Sequence, residues 1–184
     1  MPSLTLDFLL QLKDNFKKYT NFIETGTHYG GTISVMQSLF VRNYTIEIQP
    51  HIFELVNSRY SKENTDFLLG DSSTILASLL PNICGKSLIF LDGHFSYGDT
   101  GRGTKDCPLL EEVSCINLFH ANSAIIIIDD ARLFGTGSWQ EILADTILEI
   151  VKERCEQFYF LPSELHEQDR LVIHLVPNDS RTPI

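Results

Sequence analysis

Glu24-Thr25-Gly26-Thr27-His28-Tyr29-Gly30-Gly31-Thr32 joins a strand-like run to a helix-like one. Before it lies a short run of strand-forming residues, Asn21 to Glu24, and after it Thr32 to Phe40 carry apolar residues at helical spacing. A glycine-rich turn between a strand and a helix lets backbone amides approach a ligand closely. The dinucleotide form G-x-G-x-x-G would put a glycine two positions before Gly26. Glu24 stands there instead, an acid that sits badly against a pyrophosphate.

Outward from this turn the same alternation continues. Tyr44 to Ile48, Thr65 to Leu69, Ser87 to Asp92 and Ala124 to Asp129 are short, rich in β-branched or aromatic residues, and closed by polar or glycine-bearing turns. Between them, Pro50 to Tyr60, Ser73 to Leu80 and Pro108 to Phe119 have helical periodicity, so β-α-β repetition predicts a doubly wound α/β sheet with helices on both faces. Ser138-Trp139-Gln140-Glu141 has the S-x-x-E form of a capping box, which predicts a helix from there to about Arg154. Gln157 to Leu161 and Arg170 to Val176, joined by the polar stretch Pro162 to Asp169, predict a terminal β-hairpin. The expected total is seven strands, mostly parallel, with an antiparallel ending. Leu9, Leu12 and Phe16 predict an opening helix within residues 1–18, and residues 177–184 read as a loose tail.

Composition bounds the rest. A chain of 184 residues with 43% apolar and 21% charged content reads as one soluble domain spanning 1–184. A net charge of -10 opposes nucleic acid and anionic membranes, and Lys13, Lys17 and Lys18 read as the solvated end of the first helix. Small neutral or cationic partners fit better; a homodimer stays open. The apolar run Ala124 to Ile128 is far short of the roughly 18 residues a membrane span needs. Cys84, Cys107, Cys115 and Cys155 lack C-x-x-C spacing, so reduced thiols in the cytoplasm are expected.

The ends of successive strands carry the candidate chemistry. An E-x-G-x-x-x-G turn suits a ligand with a sulfonium and an amino acid end, Glu47 at the end of the second strand can take two ribose hydroxyls, and Gly70-Asp71-Ser72 follows the third. With these three matches the chain resembles the class I S-adenosylmethionine (SAM) dependent methyltransferases. The resemblance implies a cofactor site of Glu24, Thr25, Gly26, Thr27, Gly30, Thr32, Glu47, Asp71, Ser72 and Asp92, with Asp71 or its neighbour receiving the adenine amino group. His28 is a further cofactor contact to weigh.

After the fourth strand stands Phe90-Leu91-Asp92-Gly93-His94-Phe95 and after the fifth Ile128-Asp129-Asp130-Ala131-Arg132. Clustered carboxylates repel unless neutralised, so Asp92, Asp129 and Asp130 form a candidate Mg²⁺ site. This arrangement is similar to that of the macrocin O-methyltransferase group of sugar methyltransferases, which implies a metal that positions neighbouring hydroxyls of a sugar or glycan acceptor. His94 is the candidate base beside Asp92, at a position where that group carries an aspartate; catalysis assisted by histidine alone is the metal-free variant.

The long connection Ser96 to Asp106 reads as a lid that brings Tyr97 and Arg102 over the acceptor. Its near P-loop, Gly98 to Lys105, reverses the required Lys-Ser/Thr order, which excludes nucleotide hydrolysis. Glu111 and Glu112 read as helix-dipole acids, and Trp139 as core. Three other readings stay in play: a catechol-type phenol methyltransferase, a nicotinamide oxidoreductase, and a noncatalytic subunit with the same fold.

Overall fold

The computed structural model describes residues 4–96, 98, 100–139 and 141–178. Its strands are β1 (Asn21–Thr25), β2 (Arg42–Glu47), β3 (Thr65–Leu69), β4 (Ser87–Leu91), β5 (Ala124–Ile128), β6 (Cys155–Leu161) and β7 (Arg170–Leu175). The helices are α1 (Leu6–Leu9), α2 (Gly31–Met36), α3 (Pro50–Tyr60), α4 (Ser72–Leu79), α5 (Leu109–Phe119) and α6 (Ala144–Val151). They form one seven-stranded sheet of order β3-β2-β1-β4-β5-β7-β6. β1 to β5 pair in parallel, and β7 runs antiparallel between β5 and β6, the expected terminal hairpin. The winding reverses between β1 and β4, whose carboxyl ends therefore flank the crevice where such sheets bind ligands.

Side-chain alternation divides the interior into two cores. Ile23, Ile89, Leu91, Ile126 and Ile128 face α4, α5 and α6 through Leu76, Val113 and Ile147. Phe22, Leu88, Phe90, Ile125 and Ile127 face the other way, against α2 and the amino-terminal segment through Ile33, Met36, Phe8 and Leu9. Both faces of β5 are completely buried, and this explains why its sequence is continuously apolar rather than alternating. Among the described residues no helix is long and apolar enough to cross a membrane.

Three local expectations are corrected. The opening helix is confined to Leu6–Leu9, followed by a 3₁₀ turn at Phe16–Lys18. Leu12 and Phe16 are buried as their spacing implied, but polar side chains capture the backbone between them. The Asn15 amide N–H donates to Asp14, the Lys17 amide N–H to Asn15, and the Lys13 amide N–H to the Tyr159 hydroxyl. The helix expected from Ser138 starts at Ala144 instead, after a 3₁₀ turn at Gly137–Trp139, and stops at Val151. Here tertiary packing overrides the capping sequence: Trp139 and Ile142 are buried, and the Gly135 amide N–H is shared between their carbonyls at 3.1 and 3.0 Å. The first residues of the expected tail are tied down, because the Asn178 amide N–H donates to the Ala121 carbonyl at 2.9 Å; residues 179–184 lie outside the described set.

Candidate active site

A cavity of about 600 Å³ opens at the carboxyl ends of β1, β2, β3 and β4. Of the sequence-derived cofactor set, Glu24, Gly26, Thr27, Thr32, Glu47, Asp71, Ser72 and Asp92 line it. Thr25 and Gly30 do not line it. Thr25 is fully buried, and its hydroxyl accepts from the Asp92 amide at 3.3 Å. Gly30 is the residue before α2. Gly26 has φ +79° and packs so closely on Asp92 that a Cβ there would overlap the Asp92 carbonyl, so the turn after β1 can be closed only by glycine.

Glu24 and Glu47 are held in different ways. Glu24 is buried and accepts from the Thr45 hydroxyl at 2.7 Å; burial pushes its pKa up to about 8 against the pull of Thr45 and Thr32. Glu47 accepts from the His28 amide on Oε2 and the Gln49 amide on Oε1, both at 2.8 Å. Each oxygen keeps a second lone pair, and two backbone donors fix the carboxylate at the rim, the geometry needed to receive a vicinal diol. His28 reaches this position with φ +46°, in the left-handed region.

Asp71 fulfils the structural role that its position after a strand also suggests. It is the N-cap of α4, with Oδ1 accepting from the Ser73 amide at 3.0 Å and the Ser73 hydroxyl at 2.6 Å. Its other oxygen accepts from the Thr104 amide at 3.3 Å. Burial raises its pKa, and the hydrogen bonds from Ser73 and Thr104 outweigh that, leaving it below the ordinary carboxylate value.

The loop after β4 therefore lies against Asp71 and Ile48, after β3 and β2, where the sequence placed it over the acceptor. A Cβ on Gly103 would stand 2.5 Å from Asp71 Oδ2, and one on Gly101 would overlap Ile48. Arg102 stacks on Phe95 at 4.5 Å and pairs with Asp106 at 2.7 Å, while Lys105 pairs with Glu111. Tyr97 lies outside the described residues.

At the opposite end, His94 lines the cavity with Asp92. Its Nε2 is 3.1 Å from Asp130 Oδ2, its Nδ1 is 3.8 Å from Asp92 Oδ1, and its ring stands edge-on to Trp139 at 4.9 Å. Burial raises the pKa of Asp130, and bonds and charge from His94 and Arg132 outweigh it, so the net direction is down. Asp129 turns away. It accepts from Arg170 Nε at 3.0 Å, and burial raises its pKa in spite of that guanidinium.

The candidate ligand atoms thus fall into two groups, Asp92-His94-Asp130 and Asp129-Asp130-Asp169. The first gathers two oxygens and a nitrogen, a donor set suited to a divalent transition ion more than to Mg²⁺, which prefers oxygen throughout. Arg132, 2.8 Å from Asp169 and paired with Asp130, and Arg170 already neutralise the second. Arg132 stands in the same turn after β5 as the two aspartates, whereas Arg170 comes from β7, which the sheet order brings beside Asp129.

No family model and no curated protein matches the sequence. Solved structures match the fold. The O-methyltransferase TomG from Streptomyces achromogenes, in complex with SAM, superposes with a TM-score of 0.65 at 15% identity, covering 89% of this chain and 75% of that one. A putative rRNA methylase from Clostridium thermocellum gives 0.62 at 11% identity over 89% and 93%. The N-methyltransferase NodS from Bradyrhizobium japonicum gives 0.56 at 12% identity over 87% and 86%. The chain has the Rossmann-like fold of the class I SAM-dependent methyltransferases.

Proposed function

We propose that this protein is a SAM-dependent O-methyltransferase acting on a sugar or glycan hydroxyl. One observation supports this reading above the rest: the cavity holds a diol-ready Glu47 at one end and, at the other, a histidine set between two carboxylates. Donation from His94 Nε2 to Asp130 leaves the Nδ1 lone pair as proton acceptor, on the side of Asp92. SAM held there would supply a sulfonium methyl to the acceptor oxygen and leave as the neutral thioether, and His94 would receive the hydroxyl proton.

A divalent ion on Asp92, His94 and Asp130 would acidify the acceptor hydroxyl, and would use the same histidine as ligand. A coordinated nitrogen cannot also receive the proton, so the two roles are alternatives and chelation separates them. Among the described lining residues Tyr29 is the one phenol or indole ring, which favours a sugar over a phenol acceptor. Arg102, Lys105, Arg132 and Arg170 are each committed to a carboxylate, which disfavours nucleic acid as acceptor. The cysteines are free thiols, in keeping with a reducing, cytoplasmic setting.

Calorimetric titration with S-adenosylhomocysteine tests the cofactor half. The unmutated protein binds and Glu47→Ala weakens binding by about a hundredfold, as expected for two lost hydroxyl bonds to a charged group. No binding by the unmutated protein sinks the reading. His94→Gln then lowers methyl transfer to glycan acceptors by about 10²-fold or more with SAM affinity retained; unchanged transfer removes His94 from the chemistry. Full activity in excess chelator selects the base over the metal ligand.

A further inference from the structure

Glu112 is unusual on elementary grounds. It lies in the first turn of α5, where an acid gains from the helix dipole while still exposed, as its half-exposed neighbour Glu111 is. Glu112 instead is 1% exposed, and its Oε1 has no hydrogen-bond partner among the described residues. A buried, incompletely paired acid costs stability, and burial pushes this one up to about 7. The dipole therefore does not account for its burial.

Its surroundings do. The hydroxyls of Ser72 and Thr25 pull its pKa down against that burial. A Cβ on Gly93 would stand 3.0 Å from Thr25 Oγ1 and 3.1 Å from Glu112 Oε1, so the chain leaving β4 packs on both. Those three partners belong to the ends of β1, of β3 where α4 begins, and of β4. Ser72 and Gly93 line the cofactor cavity, whereas Thr25 and Glu112 lie beneath it. Glu112 also borders a small second cavity with His94 and Trp139, which places it between the cofactor floor and the acceptor side.

We propose that Glu112 is a positioning residue that holds the three strand ends at the spacing the cofactor requires, acting through Thr25, Ser72 and Gly93. This rests on the methyltransferase reading above. The tests use Glu112→Met, Glu112→Gln and Thr25→Val, with S-adenosylhomocysteine affinity and the urea midpoint measured on each. Removing a buried acid leaves Glu112→Met at least as stable as the unmutated protein, while its affinity falls about tenfold or more. Glu112→Gln keeps an acceptor for both hydroxyls and rescues binding to within about threefold. Glu112→Met and Thr25→Val together cost less affinity than the sum of each alone, because both break one connection.

Affinity and stability that fall together, or Glu112→Met binding like the unmutated protein, overturn the proposal. If Glu112→Met does not fold, Thr25→Val decides: weaker binding at an unchanged midpoint supports it, and unchanged binding overturns it. If the unmutated protein fails to bind, the methyltransferase reading falls and takes this inference with it. Failure of the variants alone to differ from it leaves that reading standing.

Discussion

At Glu24, burial and hydrogen bonding compete over a single proton, and burial wins: the group ionises at about 8 against an ordinary value of 4.5. Glu112 is shifted the same way, to about 7. A carboxyl whose folded pKa is raised binds more protons folded than unfolded. The stability it contributes is fully present below the ordinary carboxylate range and is lost as pH rises through the folded value. The urea midpoint therefore falls between about pH 4.5 and about pH 8, and Glu24→Gln flattens that fall, because the amide has no proton to lose. An unchanged slope in that variant would show that Glu24 is already ionised at neutral pH. Glu24 and Glu47 were legible as candidates because each is an acid at the carboxyl end of a strand. Glu112 was not: Glu111-Glu112 reads as ordinary helix-start chemistry, and only packing distinguishes the buried acid from the half-exposed one.

At the scale of elements, the β4–α5 loop and the β7 strand carry the differences between expectation and structure. The loop is latched by the Thr104 amide on Asp71 and by two glycines pressed against Ile48 and Asp71. In Gly103→Ala the new Cβ displaces that latch, and hydrogen exchange at the amide of Thr104 accelerates about tenfold while the core strands keep their protection. Equal exchange in both proteins would mean that the loop holds without the latch. β7 brings Arg170 onto the buried Asp129 and over the ring of Phe8 at 4.7 Å. Arg170→Met leaves Asp129 charged and unpaired, and lowers unfolding stability by about 3 kcal/mol in urea titration, most of which Asp129→Asn restores in the double variant. A cost under about 1 kcal/mol would class the pair with ordinary surface ion pairs.

For the whole molecule, one sheet with a single reversal places every candidate group along one rim, and helices on both faces keep that rim rigid. The elements from β1 through α5 were legible because their signals are local: period-two and continuous apolar runs for strands, 3.6-residue spacing for helices, glycine and polar turns between them. Which residues stand at strand ends also followed from local pattern, since a β-α-β chain puts each such residue on the same side of the sheet. Which of them meet was set by the packed fold. It joined His94 to Asp130 and turned Asp129 to Arg170. It also took Thr25 out of the cavity and sent the β4–α5 loop to Asp71. Each outcome depends on contacts between residues far apart in the chain, set by strand order, side-chain direction and charge pairing. No local pattern encodes these, because many partners of the same chemical type were available to each group.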